Sequence, residues 1–211
     1  MKTIVFVSRH SESFRNLLGE YDSNEIEQIR NEKNPLSVNG ELKAKKLSEY
    51  NELQNIDVLY SSHYVRAMST AKYIAEATNI LLNVDSRLGE RKFGVNAMSE
   101  LPSDFFDMQI KDWDYKLENG ESLNEVNNRM YEVFMEIFDK NKGKNIMIVS
   151  HGTALTTLFS KWCDIRYNEE NDLLNIYFKG NFVFNGKWGA PELFKLEFED
   201  DELVDIQNIK Y

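Results

Sequence analysis

The chain has 211 residues, 42% of them hydrophobic and 28% charged, and its 25 basic and 35 acidic side chains leave a net charge of −10. That size suits one well-buried domain, and that balance argues against nucleic acid or an anionic membrane as the partner, although a pocket inside an acidic protein can be locally positive. No apolar run approaches a transmembrane span, the first residues lack a secretion signal, and the single Cys163 cannot pair within the chain, so a cytoplasmic location is expected.

Residues 2–8 are a short apolar run with β-branched side chains, the pattern of a strand buried on both faces. Residues 24–33 read as a short polar surface helix, and 40–50 as an amphipathic helix with Ala44, Leu47 and Tyr50 at compatible spacing. A second strand is expected at 56–61 and a helix at 64–78, with Val65, Met68, Ala71 and Ala75 turned inward; a third short strand follows at 81–84. Ser122-Leu123-Asn124-Glu125 fits a capping box, in which hydroxyl and carboxylate satisfy free amides of the first turn. Leu123, Val126, Met130, Val133, Phe134 and Ile137 then give an apolar stripe for a helix at 122–142. Residues 144–150 read as a strand, 153–162 as a helix, and 192–199 with 203–209 as a hairpin that completes a sheet edge.

Strands alternating with helices predict an α/β fold, a three-layer α/β/α sandwich around a mostly parallel central sheet. No repeat or linker divides it, so residues 1–211 are expected to form one domain. Residues 95–119, carrying Phe105, Phe106, Met108, Trp113 and Tyr115, are expected to form a lid-like insertion or to pack against the body.

Three strand-to-helix junctions carry histidine or arginine. Arg9-His10 follows the first strand, with Ser13 and Asn16 close behind; Arg66 follows the second; His151-Gly152 follows the strand at 144–150. Each alone reads as a surface turn, a solvated helix charge or a buried structural histidine. Together they should meet at the carboxyl edge of the parallel sheet, where open α/β folds bind ligands. Imidazole beside guanidinium suits a multiply charged oxyanion, with arginine adding planar bidentate donors and helix N-termini adding oriented amides. Neutral imidazole is also a nucleophile. The residues therefore point to phosphate binding, which transfer through histidine would extend.

These motifs resemble those of the histidine phosphatase superfamily, the phosphoglycerate-mutase-like group. Arg9-His10-Ser11-Glu12-Ser13 with Asn16 is similar to its nucleophile motif, and Pro35-Leu36-Ser37 with Gly40 and Ala44 to a second segment. Ser61-Ser62 through Arg66-Ala67 and Thr70-Ala71 is similar to the second-arginine motif, Leu88-Gly89-Glu90 with Phe93-Gly94 to the acid-bearing segment, Gly120-Glu121-Ser122 to another, and Ser150-His151-Gly152 to the second-histidine motif. The resemblance implies that His10 attacks phosphorus and becomes transiently phosphorylated. It implies that Arg9, Arg66 and His151 clamp the phosphoryl oxygens, with Ser13, Asn16 and Gly152 as further contacts. Glu90 would serve as general acid and then base; outside the motif it would read as a loop carboxylate paired with Arg87 or Arg91. Ser11 stands where the family usually has glycine.

Hydrolysis of a small-molecule phosphomonoester, without cofactor or metal, is the expected activity. The stretch 17–34 lacks the pattern of the mutase branch, so phosphoglycerate-mutase-type transfer ranks second, and a catalytically weak phosphate-binding module is the rival of another class. If residues of the insertion contact substrate, an apolar or aromatic alcohol portion is expected, with Lys111, Lys116 or Arg91 as alternative readers of an added anion. The assembly is expected to be a monomer or homodimer.

Overall fold

The first apolar run forms strand β1 (Lys2–Arg9), and its alternation decides what packs on each side of the sheet. Val5 and Val7 face one layer and Phe6 the other, and all three are buried. The computed structural model describes residues 1–18, 25–170 and 172–211. Part of the stretch 17–34, on which the mutase comparison turns, therefore lies outside the described residues.

Strand β4 (Asn145–Ser150) repeats the device, with Ile146 and Ile148 on the side of Val5 and Val7, and Met147 and Val149 on the side of Phe6. Strands β2 (Val58–Ser61) and β3 (Leu82–Val84) run parallel to it. The hairpin of β8 (Glu192–Glu199) and β9 (Glu202–Ile209) closes the opposite edge antiparallel, giving the order β3-β2-β4-β1-β8-β9. Helices α3 (Val38–Ser48) and α4 (Val65–Thr78) cover one face; α6 (Leu123–Lys140) and α7 (Gly152–Phe159) cover the other. This is the expected three-layer sandwich.

Helix α6 begins as its sequence predicts. Ser122 Oγ accepts the Glu125 N–H at 3.1 Å while Glu125 Oε2 accepts the Ser122 N–H at 3.0 Å, and the six stripe residues are all buried. Helix α4 differs. Its buried face is Arg66, Ala67, Thr70, Ala71 and Ile74, with Val65, Met68 and Ala75 only half-buried. Periodicity alone places the apolar side chains inward, whereas the helix is rotated to carry the polar Arg66 and Thr70 against His10 and Ser11.

Short helices α1 (Phe14–Leu18), α2 (Glu27–Lys33) and α5 (Phe105–Lys111) surround the carboxyl edge. A separate antiparallel sheet of β5 (Asp164–Asn168), β6 (Leu173–Phe178) and β7 (Asn181–Phe184) was not expected. Strand β6 is as long as β4, but Asn175 interrupts its apolar run, and most residues of all three strands are only partly buried, unlike those of β1 and β4.

Candidate active site

Strand register builds the site. Arg9 of β1 pairs with Ser150 of β4, and Ser61 of β2 with Val149, so the residues that follow these strands emerge at one level. The His10 N–H then bonds the Ser150 carbonyl and the Ser62 N–H the Val149 carbonyl, both at 2.9 Å. The two imidazole rings stand 5.2 Å apart.

The hydrogen bonds fix the histidine tautomers. His10 Nδ1 lies 2.7 Å from the Ser11 carbonyl, which only accepts, so Nδ1 carries the proton. Nε2 is left with its lone pair, which accepts from Arg66 Nε at 2.9 Å. His151 Nδ1 accepts from Arg66 Nη2 at 3.3 Å, and its Nε2 donates to Ser62 Oγ at 2.8 Å. One guanidinium thus holds both rings, and its remaining Nη1 is tied to the Asn31 carbonyl. Burial, reinforced by Arg66 and Arg9, holds both imidazoles well below their ordinary 6.5 and therefore neutral at neutral pH. Burial lowers the Arg66 guanidinium to about 10, which leaves it charged.

A pH dependence of stability follows. Each imidazole gains its proton near pH 6.5 in the unfolded chain but only at much lower pH in the folded one. The unfolded state therefore binds more protons below 6.5, and stability falls with pH by up to about 1.4 kcal/mol per pH unit per histidine. Urea midpoints should drop between pH 7.5 and 5.5, a window above the carboxylate range, and the double variant His10→Gln/His151→Gln should flatten that slope. An equal slope in the variant would contradict the assignment.

Arg9 reaches the same edge, where its Nη1 donates to the main-chain carbonyls of Trp188 at 2.8 Å and Gly189 at 3.2 Å. Glu90 is paired with neither of the arginines proposed for it. Arg87 binds Asp85 and Glu136, and Arg91 binds Gln109. The Glu90 carboxylate instead accepts main-chain N–H groups of Arg91 (2.9 Å), Ala154 (3.1 Å) and Thr153 (3.3 Å). The amides expected to meet phosphate at the start of α7 are thus turned to Glu90. Arg129 of α6 fixes that loop through the carbonyls of Arg87, Gly89 and Glu90. Sequence reasoning treated α6 only as core, so this polar-face arginine had no signal.

Ser13 is buried and engaged by Asn16 Oδ1 at 2.9 Å and Asn34 Nδ2 at 3.1 Å, while Asn16 itself is exposed. Gly152 opens α7 beneath Trp188, where a Cβ would lie 3.2 Å from the indole. Ser62, Tyr64 and Trp188 were the other residues without an assigned role. Tyr64 sets its ring edge on His151 at 4.6 Å and beneath the Arg66 guanidinium at 4.8 Å. The nearest sequence signal was the Ser61-Ser62 motif; Trp188 had none beyond its flanking glycines.

Ser11 has a structural explanation. Its backbone does not adopt the left-handed region that would require glycine. Its N–H donates to Thr70 Oγ1 at 2.9 Å and its hydroxyl to the Gly40 carbonyl at 2.7 Å, so the loop that follows β1 is bolted to α4 and α3. Gly40 is the residue that must be glycine, because a Cβ there would lie 1.9 Å from the Glu12 carbonyl oxygen. Ser11→Ala removes this buried hydrogen bond while the Gly40 carbonyl keeps its helical partner in α3, and should cost about 0.5–1.5 kcal/mol of stability in urea denaturation.

Joined to the site through Thr153, which binds Glu90, and Trp188, which binds Arg9, is a cavity of about 340 Å³ walled by Phe106, Ile110, Trp113, Leu123, Leu174 and Trp188, with Arg91 among them. Of the aromatics in 95–119, Phe105 is packed into the body, while Phe106 and Trp113 face this cavity. Half-buried His63 packs edge-on against Tyr64 at 4.8 Å and lines a separate pocket with Glu90.

Two neutral imidazoles and two arginines gathered at the carboxyl edge of this sheet define a class, and the chain belongs to the histidine phosphatase superfamily, branch 1, whose pattern matches residues 5–175. Among relatives, it is 32% identical over 169 residues to a protein named probable phosphoglycerate mutase GpmB from Serratia proteamaculans, covering 74% of this chain and 73% of that one. The fold is similar to a mycobacterial glucosyl-3-phosphoglycerate phosphatase (TM-score 0.69, 17% identity, 99% of this chain and 97% of that one). It is also similar to a phosphoserine phosphatase from Entamoeba histolytica (TM-score 0.68, 19% identity, 99% and 98%).

Proposed function

We propose that this protein hydrolyses a small-molecule phosphomonoester through a phosphohistidine at His10. The observation that carries the reading is the fixed tautomer: Nδ1–H is anchored on the Ser11 carbonyl, so the Nε2 lone pair points into the arginine cluster. A bound phosphoryl group would take over the donors of Arg66 and release that lone pair for attack.

In the first step the His10 Nε2–phosphorus bond forms as the bond from phosphorus to the ester oxygen breaks, and Glu90 gives that oxygen its proton. In the second, Glu90 takes a proton from water, the water oxygen bonds phosphorus, and the phosphorus–nitrogen bond breaks to release phosphate. Arg9, Arg66 and His151 would hold the three non-bridging oxygens throughout, where preorganised donors act most strongly on developing charge. Ser13, Asn16 and Gly152 would line the near side. No step calls for a metal or cofactor, and phosphate release is expected to survive a chelator.

Two lines of support favour hydrolysis over mutase transfer: the lack of the mutase pattern in 17–34, and an apolar cavity beside the site that suits a bulkier alcohol than glycerate. The names of the sequence relatives favour the mutase reading. Purified protein should release inorganic phosphate from several phosphomonoesters, including aryl phosphates, faster than it interconverts 2- and 3-phosphoglycerate. Efficient interconversion with negligible phosphate release would overturn the choice; no release and no phosphohistidine with any ester would leave a binding module.

A further inference from the structure

We infer that the cavity bordered by Thr153 and Trp188 recognises an anionic group carried on an apolar portion of the substrate, with Arg91 as the residue that reads it. The inference rests on the phosphomonoester reading and names the kind of alcohol that reading leaves open.

Arg91 is the anomaly in that wall. Only 8% of its surface is exposed, yet among the described residues it forms no ion pair. Its Nη1 donates to Gln109 Oε1 at 2.6 Å, and its buried Nε has no hydrogen-bond partner among the described residues. The guanidinium rests against the rings of Phe93 at 4.8 Å and Phe106 at 5.4 Å. Aromatic faces offset part of the cost of burying a cation, but a buried charge without a counterion and with an idle donor is expensive. Glu90 and Glu121 act on it only at longer range, and Asp172 at the cavity rim is turned to the Tyr167 hydroxyl at 2.6 Å. An arriving carboxylate or phosphonate would supply the missing partner, and the planar fork of arginine suits it.

The placement is right for the non-transferred part of a substrate. Thr153 lines the cavity and gives its N–H to Glu90; Trp188 lines it and gives its carbonyl to Arg9. An alcohol leaving from phosphorus toward Glu90 would therefore extend into this space. The other basic residues of the segment are elsewhere: Lys111 is exposed and Lys116 is engaged by Glu125.

Calorimetry with non-hydrolysable benzylphosphonate and its 3-carboxy, 4-carboxy and 4-phosphonomethyl derivatives tests this without needing turnover. At least one doubly anionic ligand should bind the wild-type protein about 10-fold or more tightly than benzylphosphonate, and the better of the two anions identifies which group Arg91 takes. In Arg91→Met, checked for folding by circular dichroism, that ratio should shrink to within about twofold. Equal wild-type affinities, or a ratio unchanged by Arg91→Met, overturn the inference while phosphate release from aryl phosphates leaves the hydrolase reading standing. If no phosphonate binds and no aryl phosphate is hydrolysed, the phosphomonoester reading fails and takes this inference with it.

Discussion

His10→Ala should lower kcat/KM for phosphate release by about 10⁵-fold, because a nucleophile whose removal leaves no covalent route costs roughly as much as losing the whole catalytic unit. The structure makes the effect specific to His10. Of the two buried rings, only His10 directs an unprotonated Nε2 at the arginines; Nε2 of His151 carries a proton that it gives to Ser62. His151→Ala should therefore reduce the rate through lost charge stabilisation, yet still form some phosphohistidine. A fall of less than tenfold in His10→Ala, measured by steady-state phosphate release, contradicts the assignment of the nucleophile.

Arg66→Ala should have the second largest effect, about 10³-fold in kcat/KM, since one arginine acting on a transferring phosphoryl group is worth that much. Arg66 does more here than meet the oxygens. Its Nε orients His10, its Nη2 orients His151, and its charge helps to keep both rings neutral. Removing it should raise both imidazoles toward their ordinary range, visible by NMR titration. Arg66→Lys should not restore the rate, because a single ammonium cannot span both rings. Loss of activity with unmoved imidazole titrations would assign Arg66 to substrate alone.

The difference between what was legible and what was not follows from physical range. Strands β1 and β4 are buried on both faces, so their apolar runs mark them plainly, and the histidines at their ends inherit that clarity. Their meeting is a matter of register, Arg9 opposite Ser150, which motifs imply and the parallel pairing delivers. The capping box at Ser122 is local chemistry and was legible for that reason. The inward face of α4 was not, because burying Arg66 runs against every hydropathy pattern and makes sense only beside His10 and His151.

Nor does spacing announce a main-chain partner. Trp188 and Gly189 hold Arg9 through their carbonyls, and the α7 amides serve Glu90 in place of phosphate. Ser11 looked like a defect beside the nucleophile because only the fold reveals Gly40 as its acceptor. Arg91 was one of three candidate anion readers in the sequence; burial singles it out.

The central claim is that phosphate passes through His10. The protein should be mixed with an aryl phosphate, quenched in alkali during turnover, digested, and its peptides analysed by mass spectrometry. The account predicts one alkali-stable, acid-labile phosphoryl group on the peptide containing His10, and none in His10→Ala. Phosphate release at an undiminished rate by His10→Ala, or a phosphoryl group on the His151 peptide alone, would contradict it.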